Sequence, residues 1–432
     1  MALAQATRAR LSGNETASAA GSVWALLLGA GLLMLGNGLQ GTLLGVRAES
    51  EGFGSAVTGL VMSGYFVGFL AGSTLAPRAV ARVGHIRVFA ALASIASVAI
   101  LVHGVFVTPV VWAVMRVLSG FAYAGLYVVT ESWLNDCASN RTRGRLLGLY
   151  MVIVFLAMAG GQLLLNVADP GSTDLFILIS VLVSVGLVPI LLSATRQPHH
   201  DAPVPLGLRR LYAISPLGTI GCFVAGIGNG AVFAMGAVYA RAAGLSIAEV
   251  SLFMGALVVG GALFQWPLGK LSDRVDRRRI IIGVTFAAAV LAAAAVLAAR
   301  LSTWALIGLA VPLGGAALCL YPLLLAYTND YLDRAQMVAA SSGLVLATGL
   351  GAVLGPSTTG WIMGRAGAEG FLWYLAAIHL ALGGFALYRA RRRSSRPVED
   401  QSQYVPVPSR TSPLGSAWIE EVTEAGGDDR RG

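Results

Sequence analysis

Arg116 lies in the middle of an apolar stretch, 110–133. A guanidinium there costs about 2.5–3.5 kcal/mol to insert into a bilayer and has to face a cavity, water or a bonding partner. At about 100° per helical residue, positions 116, 120, 123, 127 and 131 fall within roughly 80° of one another. Arg116, Gly120, Tyr123, Tyr127 and Glu131 therefore make one polar stripe. With a rise of about 1.5 Å per residue, Arg116 and Glu131 stand roughly 22 Å apart, too far for an ion pair, so each needs its own partner. Arg116 suits substrate charge or the tuning of a proton site, and Glu131 suits a gate or proton exit. The plainer assignment has Arg116 bonding helix carbonyls and Glu131 pairing with a loop arginine. Asn37, Gln40 and Asn229 carry amides that both donate and accept, which fits contact with a polar solute. The same amides can instead tie helices together, at about 0.6–2 kcal/mol each. Gln162 and Gln265 are weaker versions of the same signal. Tyr65, Tyr123, Tyr127 and Tyr321 fit either the flank of an aromatic ligand or helix packing, and His103 and His379 fit packing or a helix hydrogen bond.

The elements that must hold these residues are apolar blocks of about 20 residues, each long enough to span a bilayer. The chain has 432 residues, 56% apolar and 12% charged, with mean hydropathy +0.73. An ordinary soluble domain carries about 25% charged residues, so that class is excluded. No block alternates in polarity as a membrane barrel strand would. The expected fold is all-α, with spans near 22–46, 56–76, 86–107, 110–133, 146–167 and 174–194, then 214–240, 247–267, 280–299, 302–326, 338–361 and 370–389. This divides the chain into a polar tail (1–21), a six-helix bundle (22–194), a linker (195–213), a second bundle (214–389) and a polar, disordered tail (390–432). The first span is read as retained, because its apolar run is too long for a signal-peptide core.

The net charge of +9 comes from 30 basic against 21 acidic residues, and every basic residue but Arg116 is placed outside the blocks or at their ends, which reads as topology and not as nucleic-acid binding. Alternating the loops puts 25 basic residues on the side of both termini and four, Arg47, Arg241, Arg300 and Arg365, on the other. Both termini are therefore expected in the cytoplasm. Cys137, Cys222 and Cys319 are few and scattered, so neither a disulfide framework nor a thiolate metal site is expected. No phosphate-binding loop, metal-ligand cluster or nucleophile elbow occurs, and the expectation is a non-enzyme without metal or cofactor.

The two halves repeat. Gly36-Asn37-Gly38 matches Gly228-Asn229-Gly230 at an offset of 192, Arg82 to Arg87 matches Arg274 to Arg279 at the same offset, and Asn135-Asp136 matches Asn329-Asp330 at 194. A duplicated six-plus-six bundle is the layout of a carrier whose site lies between rocking halves. No acidic residue lies deep in spans one, two, five, seven, eight, ten or eleven, which disfavours cationic cargo. A lone midplane arginine leans towards an anionic, zwitterionic or polar neutral solute.

The loop Gly269-Lys-Leu-Ser-Asp273-Arg274-Val-Asp276-Arg277-Arg278-Arg279 resembles the signature loop of the major facilitator superfamily, with Asp276 in place of its second glycine. The resemblance implies a cytoplasmic gate formed by Asp273, Arg274, Arg277 and Arg278, to which the repeat adds Arg82, Asp136 and Asp330. The first-half copy has Ala81 where the aspartate belongs. Arg116 to Ala122 is similar to the superfamily element associated with proton coupling, which implies that role for Arg116; the polar stripe adds Glu131 as its expected companion in proton coupling. Gly351 to Pro356 resembles its glycine-rich helix motif. Glu131 to Asn135 and Arg141 to Arg145, with Gly160-Gly161, resemble the YcaD-like branch. The resemblance implies a monomeric, proton-linked secondary transporter of a small organic solute in a bacterial-type inner membrane. Asn37, Gln40, Arg116, Tyr123, Tyr127, Asn229, Gln265 and Tyr321 are its expected substrate contacts. A proton-independent uniporter, a non-transporting receptor or assembly factor, and a lipid translocator are the alternatives.

Overall fold

The computed structural model describes the backbone of residues 2–138, 142–192 and 206–392, together with Pro397, Gln401 and Tyr404. The side chains of residues 1–22 and of Asp136, Arg143, Gly144, Arg334, Ala335 and Val338 lie outside the description. The first half comprises α1 (Ala2–Ser50), α2 (Ser55–Val83), α3 (His85–Val105), α4 (Pro109–Cys137), α5 (Arg143–Leu163) and α6 (Asp174–Leu192). The short α7 (Leu208–Ile214) precedes α8 (Pro216–Ala242), α9 (Ile247–Ser272), α10 (Arg277–Leu301), α11 (Thr303–Leu318), α12 (Leu320–Asn329), α13 (Arg334–Ala366) and α14 (Gly370–Arg392). Among the described residues, twelve segments are long and apolar enough to cross a membrane.

Local sequence sets the ends. Pro109 and Pro216 occupy first-turn positions, where a missing N–H costs nothing. Ser246 and Glu249 form a reciprocal capping box at the start of α9. Gly84 joins α2 to α3 at φ 88°, a left-handed conformation that favours glycine. The tenth span, expected as one helix over 302–326, is broken at Cys319 into α11 and α12, with Pro312 inside α11. The helical backbone begins at Ala2, inside the segment expected as a polar tail.

The packing repeats between the halves. In the first, α1 packs on α5, α2 on α4 and α3 on α6; in the second, α8 packs on α13, α9 on α11 and α10 on α14. The closest approaches use glycines at matching places. A Cβ on Gly120 would overlap the Tyr65 carbonyl oxygen, and one on Gly68 that of Val117, so α2 and α4 touch backbone to backbone. Gly314 and Gly260 do the same for α9 and α11, meeting the Leu257 and Val311 carbonyls. Small residues give close helix approach where lipid supplies no hydrophobic drive. The chain is an all-α membrane protein of two pseudo-symmetric six-helix bundles.

The halves meet on the side opposite the termini. At that end of α2, Gly59 faces Pro356 of α13, and Gly360 faces Ser55. Ser251 of α9 donates to the Gln162 carbonyl of α5 at 2.6 Å, and Gly45 of α1 abuts Ala237 of α8. On the same side Arg300 clamps Glu369 through two hydrogen bonds, 3.0 and 2.8 Å, which hold that carboxyl below its usual range. The pair is exposed, so its effect on stability is small.

Candidate functional site

Arg116 is buried and lines a small cavity between the halves. Asn37, Thr42, Tyr65, Phe66 and Gln162 share that lining from the first half, and Phe233 and Met254 come from the second. The guanidinium carbon sits 4.6 Å from the centre of the Tyr65 ring, a cation–π contact. The Tyr65 hydroxyl donates to Asn37 Oδ1 at 3.5 Å. Gln162 is fully engaged, its Nε2 donating to Gly38 O and Met158 O and its Oε1 accepting from Thr42.

A second, larger cavity shares Phe66 with it as a wall. Its walls are Phe69, Leu70, Ser73, Asn229, Tyr321, Val345, Thr348, Gly349 and Ala352. Tyr321 reaches this wall directly after the helix break at Cys319.

Asn37, Arg116, Asn229 and Tyr321 thus lie on the two cavities. The other expected contacts do not line them. Gln40 donates to Ser119 Oγ at 3.3 Å and ties α1 to α4. Tyr123 and Tyr127 are buried among first-half rings, with centroids 6.4 Å from Tyr65 and 6.1 Å from Phe69 respectively. Gln265 is buried on α9. Reasoning from polarity missed Phe66, Phe69, Leu70, Val345 and Thr348, whose residue types are as common in packing as in a binding wall.

Glu131 is buried one stripe-length from Arg116 and accepts a hydrogen bond from the Tyr150 hydroxyl at 3.4 Å. Nearby His85 bonds Ser132 at 2.8 Å.

The signature loop forms a buried ionic cluster within the second half. Arg277 donates from one nitrogen to both Asp330 oxygens at 2.7 Å and to Ala326 O at 3.1 Å, and from the other to Asp273 at 3.0 Å. Arg278 reaches the Tyr331 hydroxyl at 3.1 Å. Arg274 and Arg82 are exposed, and the Asp136 side chain lies outside the described residues. Asp276, the departure from the motif, accepts from the Arg278 amide and caps α10.

One partner of this loop comes from the far end of the chain. The Tyr404 amide donates to Asp273 Oδ1 at 2.8 Å, and its ring fills the space over Gly269. Burial pushes its phenol well above the usual range, so it stays neutral. Burying a ring of this size is worth about 1.5–3 kcal/mol. Tyr404→Ala is therefore expected to lower the melting temperature of the purified chain measurably and to speed amide exchange around 269–275. Parental values for both would show that the ring does not dock.

The Major Facilitator Superfamily model matches residues 26–217 and 218–423, once for each half. The MFS-type transporter YcaD of Escherichia fergusonii is 28% identical over 378 residues, spanning 87% of this chain and 97% of its own. YcaD of Escherichia coli is 29% identical over 344 residues, 79% of this chain and 88% of its own. Among solved structures, the nucleoside transporter NupG superposes with TM-score 0.70 at 15% identity, covering 84% of this chain and 98% of that one. A bacterial homologue of the human lysosomal transporter Spinster, inward-facing and unoccupied, gives 0.64 at 15%, covering 95% and 98%. These two show a shared fold. With both halves matched, and with YcaD similar over most of its length, the chain belongs to the major facilitator superfamily and is a multi-pass membrane transporter of the YcaD-like kind.

Proposed function

We propose that this transporter is a proton-linked secondary carrier that moves a small organic solute by alternating access across a bacterial inner membrane, with both termini cytoplasmic. The observation that carries the reading is the buried Arg116 guanidinium on a cavity walled by both halves. A charge placed there is reached from either side as the halves rock, whereas one sealed in a static scaffold would not need walls from two bundles. The close contacts on the side opposite the termini fit a state open towards the termini, and the basic bias of the loops supports calling that side cytoplasmic. In this reading Glu131, buried beside Tyr150 towards the terminus-bearing end of α4, carries the proton.

Proteoliposomes holding the purified chain, an imposed pH gradient and a panel of organic acids, amino acids and polar neutral solutes test it. Flux of a bound solute is expected to follow the gradient. Losing a charge-assisted contact worth about 1.5–3 kcal/mol predicts that Arg116→Ala slows flux about 10- to 150-fold. Parental flux in Arg116→Ala removes the arginine from the mechanism, and flux indifferent to the gradient leaves a uniporter. A non-transporting receptor is the second reading, favoured by Ala81 in the first-half loop and by the Tyr404 contact on the second. Specific binding without flux of any solute would decide for it.

A further inference from the structure

The ends of α10 and α14 on the side of the termini carry arginines that the fold does not use. Arg279, in the first turn of α10, and Arg391 and Arg392, in the last turn of α14, are exposed, and Arg389 beside them is half-buried. Among the described residues, Arg279, Arg389 and Arg391 make no hydrogen bond or ion pair, and Arg392 only stacks on the Tyr388 ring at 5.4 Å. The carboxylates nearest Arg279 in sequence are committed elsewhere. Asp273 binds Arg277 and the Tyr404 amide, and Asp276 caps α10.

From these arginines both helices lead into lipid. At about 100° per residue, Val290 and Leu297 fall within about 20° of Arg279 on α10, and Leu380 and Trp373 within about 20° of Arg391 on α14. All four are exposed apolar side chains of membrane spans, so the arginines cap two lipid-facing stripes. The two helices pack on each other, and the Phe286 ring lies against Gly383. Arg279 is seven residues from that contact and Arg391 eight, about 10 and 12 Å along antiparallel axes. Both guanidiniums therefore stand at one depth, where the apolar stripes end and headgroups begin. The exposed Tyr388 ring is an aromatic of the kind that settles at this interface.

Topology alone does not require such crowding. In the first half, α3 carries Arg87, the repeat mate of Arg279, in its first turn, but α6, which packs on α3 as α14 packs on α10, has no basic residue in its last turn. The excess belongs to one helix pair.

We propose that this end of the α10–α14 pair binds the headgroup of an anionic phospholipid. The phosphate lies between Arg279 and Arg391 with Arg392 beside them, and the acyl chains run along the stripes of Val290 and Leu297 and of Leu380 and Trp373. A guanidinium offers a phosphate two parallel N–H donors and keeps its charge. A free anion would meet the same donors but gain nothing from the stripes, and a zwitterionic lipid brings a cation of its own to the arginines. Binding of this kind needs only that the chain spans a bilayer, so it stands whether or not a solute moves.

The purified full-length chain in neutral detergent is titrated with phosphatidylglycerol, with phosphatidylcholine of the same acyl chains, or with inorganic phosphate, and adducts are read by native mass spectrometry and thermal shift. Phosphatidylglycerol is expected to bind well ahead of the other two. Each guanidinium at a lipid surface contributes about fivefold, so replacing Arg279, Arg391 and Arg392 together with Gln should weaken phosphatidylglycerol binding about 100-fold and leave phosphatidylcholine unchanged. The single variants Arg279→Gln and Arg391→Gln, each expected to lose about fivefold, cover the case in which the triple variant does not fold. A control triple variant, Arg78→Gln with Arg209→Gln and Arg210→Gln, removes the same charge from exposed positions elsewhere on that side and should keep the parental preference. An equal loss in the control, equal binding of the two lipids by the parent, parental binding in both single variants, or displacement of phosphatidylglycerol by inorganic phosphate at equal concentration overturns the proposal.

Discussion

Arg277→Ala is expected to destabilise the chain by about 3–5 kcal/mol, the cost of leaving a buried charge without its partner. The Arg277 side chain is 1% exposed and that of Asp330 3%, so water does not take over when the guanidinium is removed. Truncation strips both Asp330 oxygens of their 2.7 Å donor, and frees Asp273 and Ala326 O as well. Arg277→Lys keeps the charge but not the fork that reaches α9 and α12 together, so it should fall in between. Replacing both partners, as Arg277→Met with Asp330→Leu, should recover much of the loss, because an apolar pair of similar size removes the desolvation cost altogether. Thermal unfolding of the three variants in detergent reads the series. An Arg277→Ala melting temperature equal to the parent's would mean that the cluster is solvated.

Gly120→Ala should cost stability near the upper end of the about 1–3 kcal/mol typical of overpacking. The added methyl would overlap the Tyr65 carbonyl oxygen and crowd the Phe69 amide, and backbone cannot turn aside as a side chain does. α2 and α4 must separate, which also shifts Tyr65 and with it the aromatic face under Arg116. Gly283→Ala is the contrast. Nothing lies within 4 Å of a Cβ there, so the substitution should be neutral or stabilise by about 0.5–1 kcal/mol through helix propensity. Equal melting temperatures for the two variants would sink the backbone-contact account of the α2–α4 seam.

Much of this was legible in the sequence, for identifiable reasons. Hydropathy marked all twelve spans because lipid demands long apolar runs, and the Asn37–Asn229 and Asp136–Asp330 offsets anticipated the repeated packing. Arg116 stood out because charge is rare in a span, and it does lie on a cavity between the halves. The stripe around it was a less reliable guide. A shared helix face set Tyr123 and Tyr127 beside Arg116, but α2 covers that face closely enough at Gly68 and Gly120 to bury both rings in the first half. Periodicity reports which side of a helix a residue is on, not what lies opposite. The break at Cys319 carried no proline of its own, only flanking Pro312 and Pro322, and so read as continuous helix. Tyr404 was invisible for another reason. Its partner, Asp273, is 131 residues away, and a single tyrosine in a polar segment has no period to betray it.

The seam opposite the termini has a kinetic consequence. Its named contacts are Gly59 on Pro356, Gly360 on Ser55, Gly45 on Ala237 and Ser251 on a carbonyl, and none of these carries charge. Parting them separates no ions and releases few rotamers, so added electrolyte has little to screen there. The Arg277 bonds to Asp273 and Asp330, by contrast, join elements of one half, so they can stay intact while that seam unzips. Motion between the halves then resembles two smooth plates parting, its barrier set by helix-to-helix dispersion and by the lipid around them.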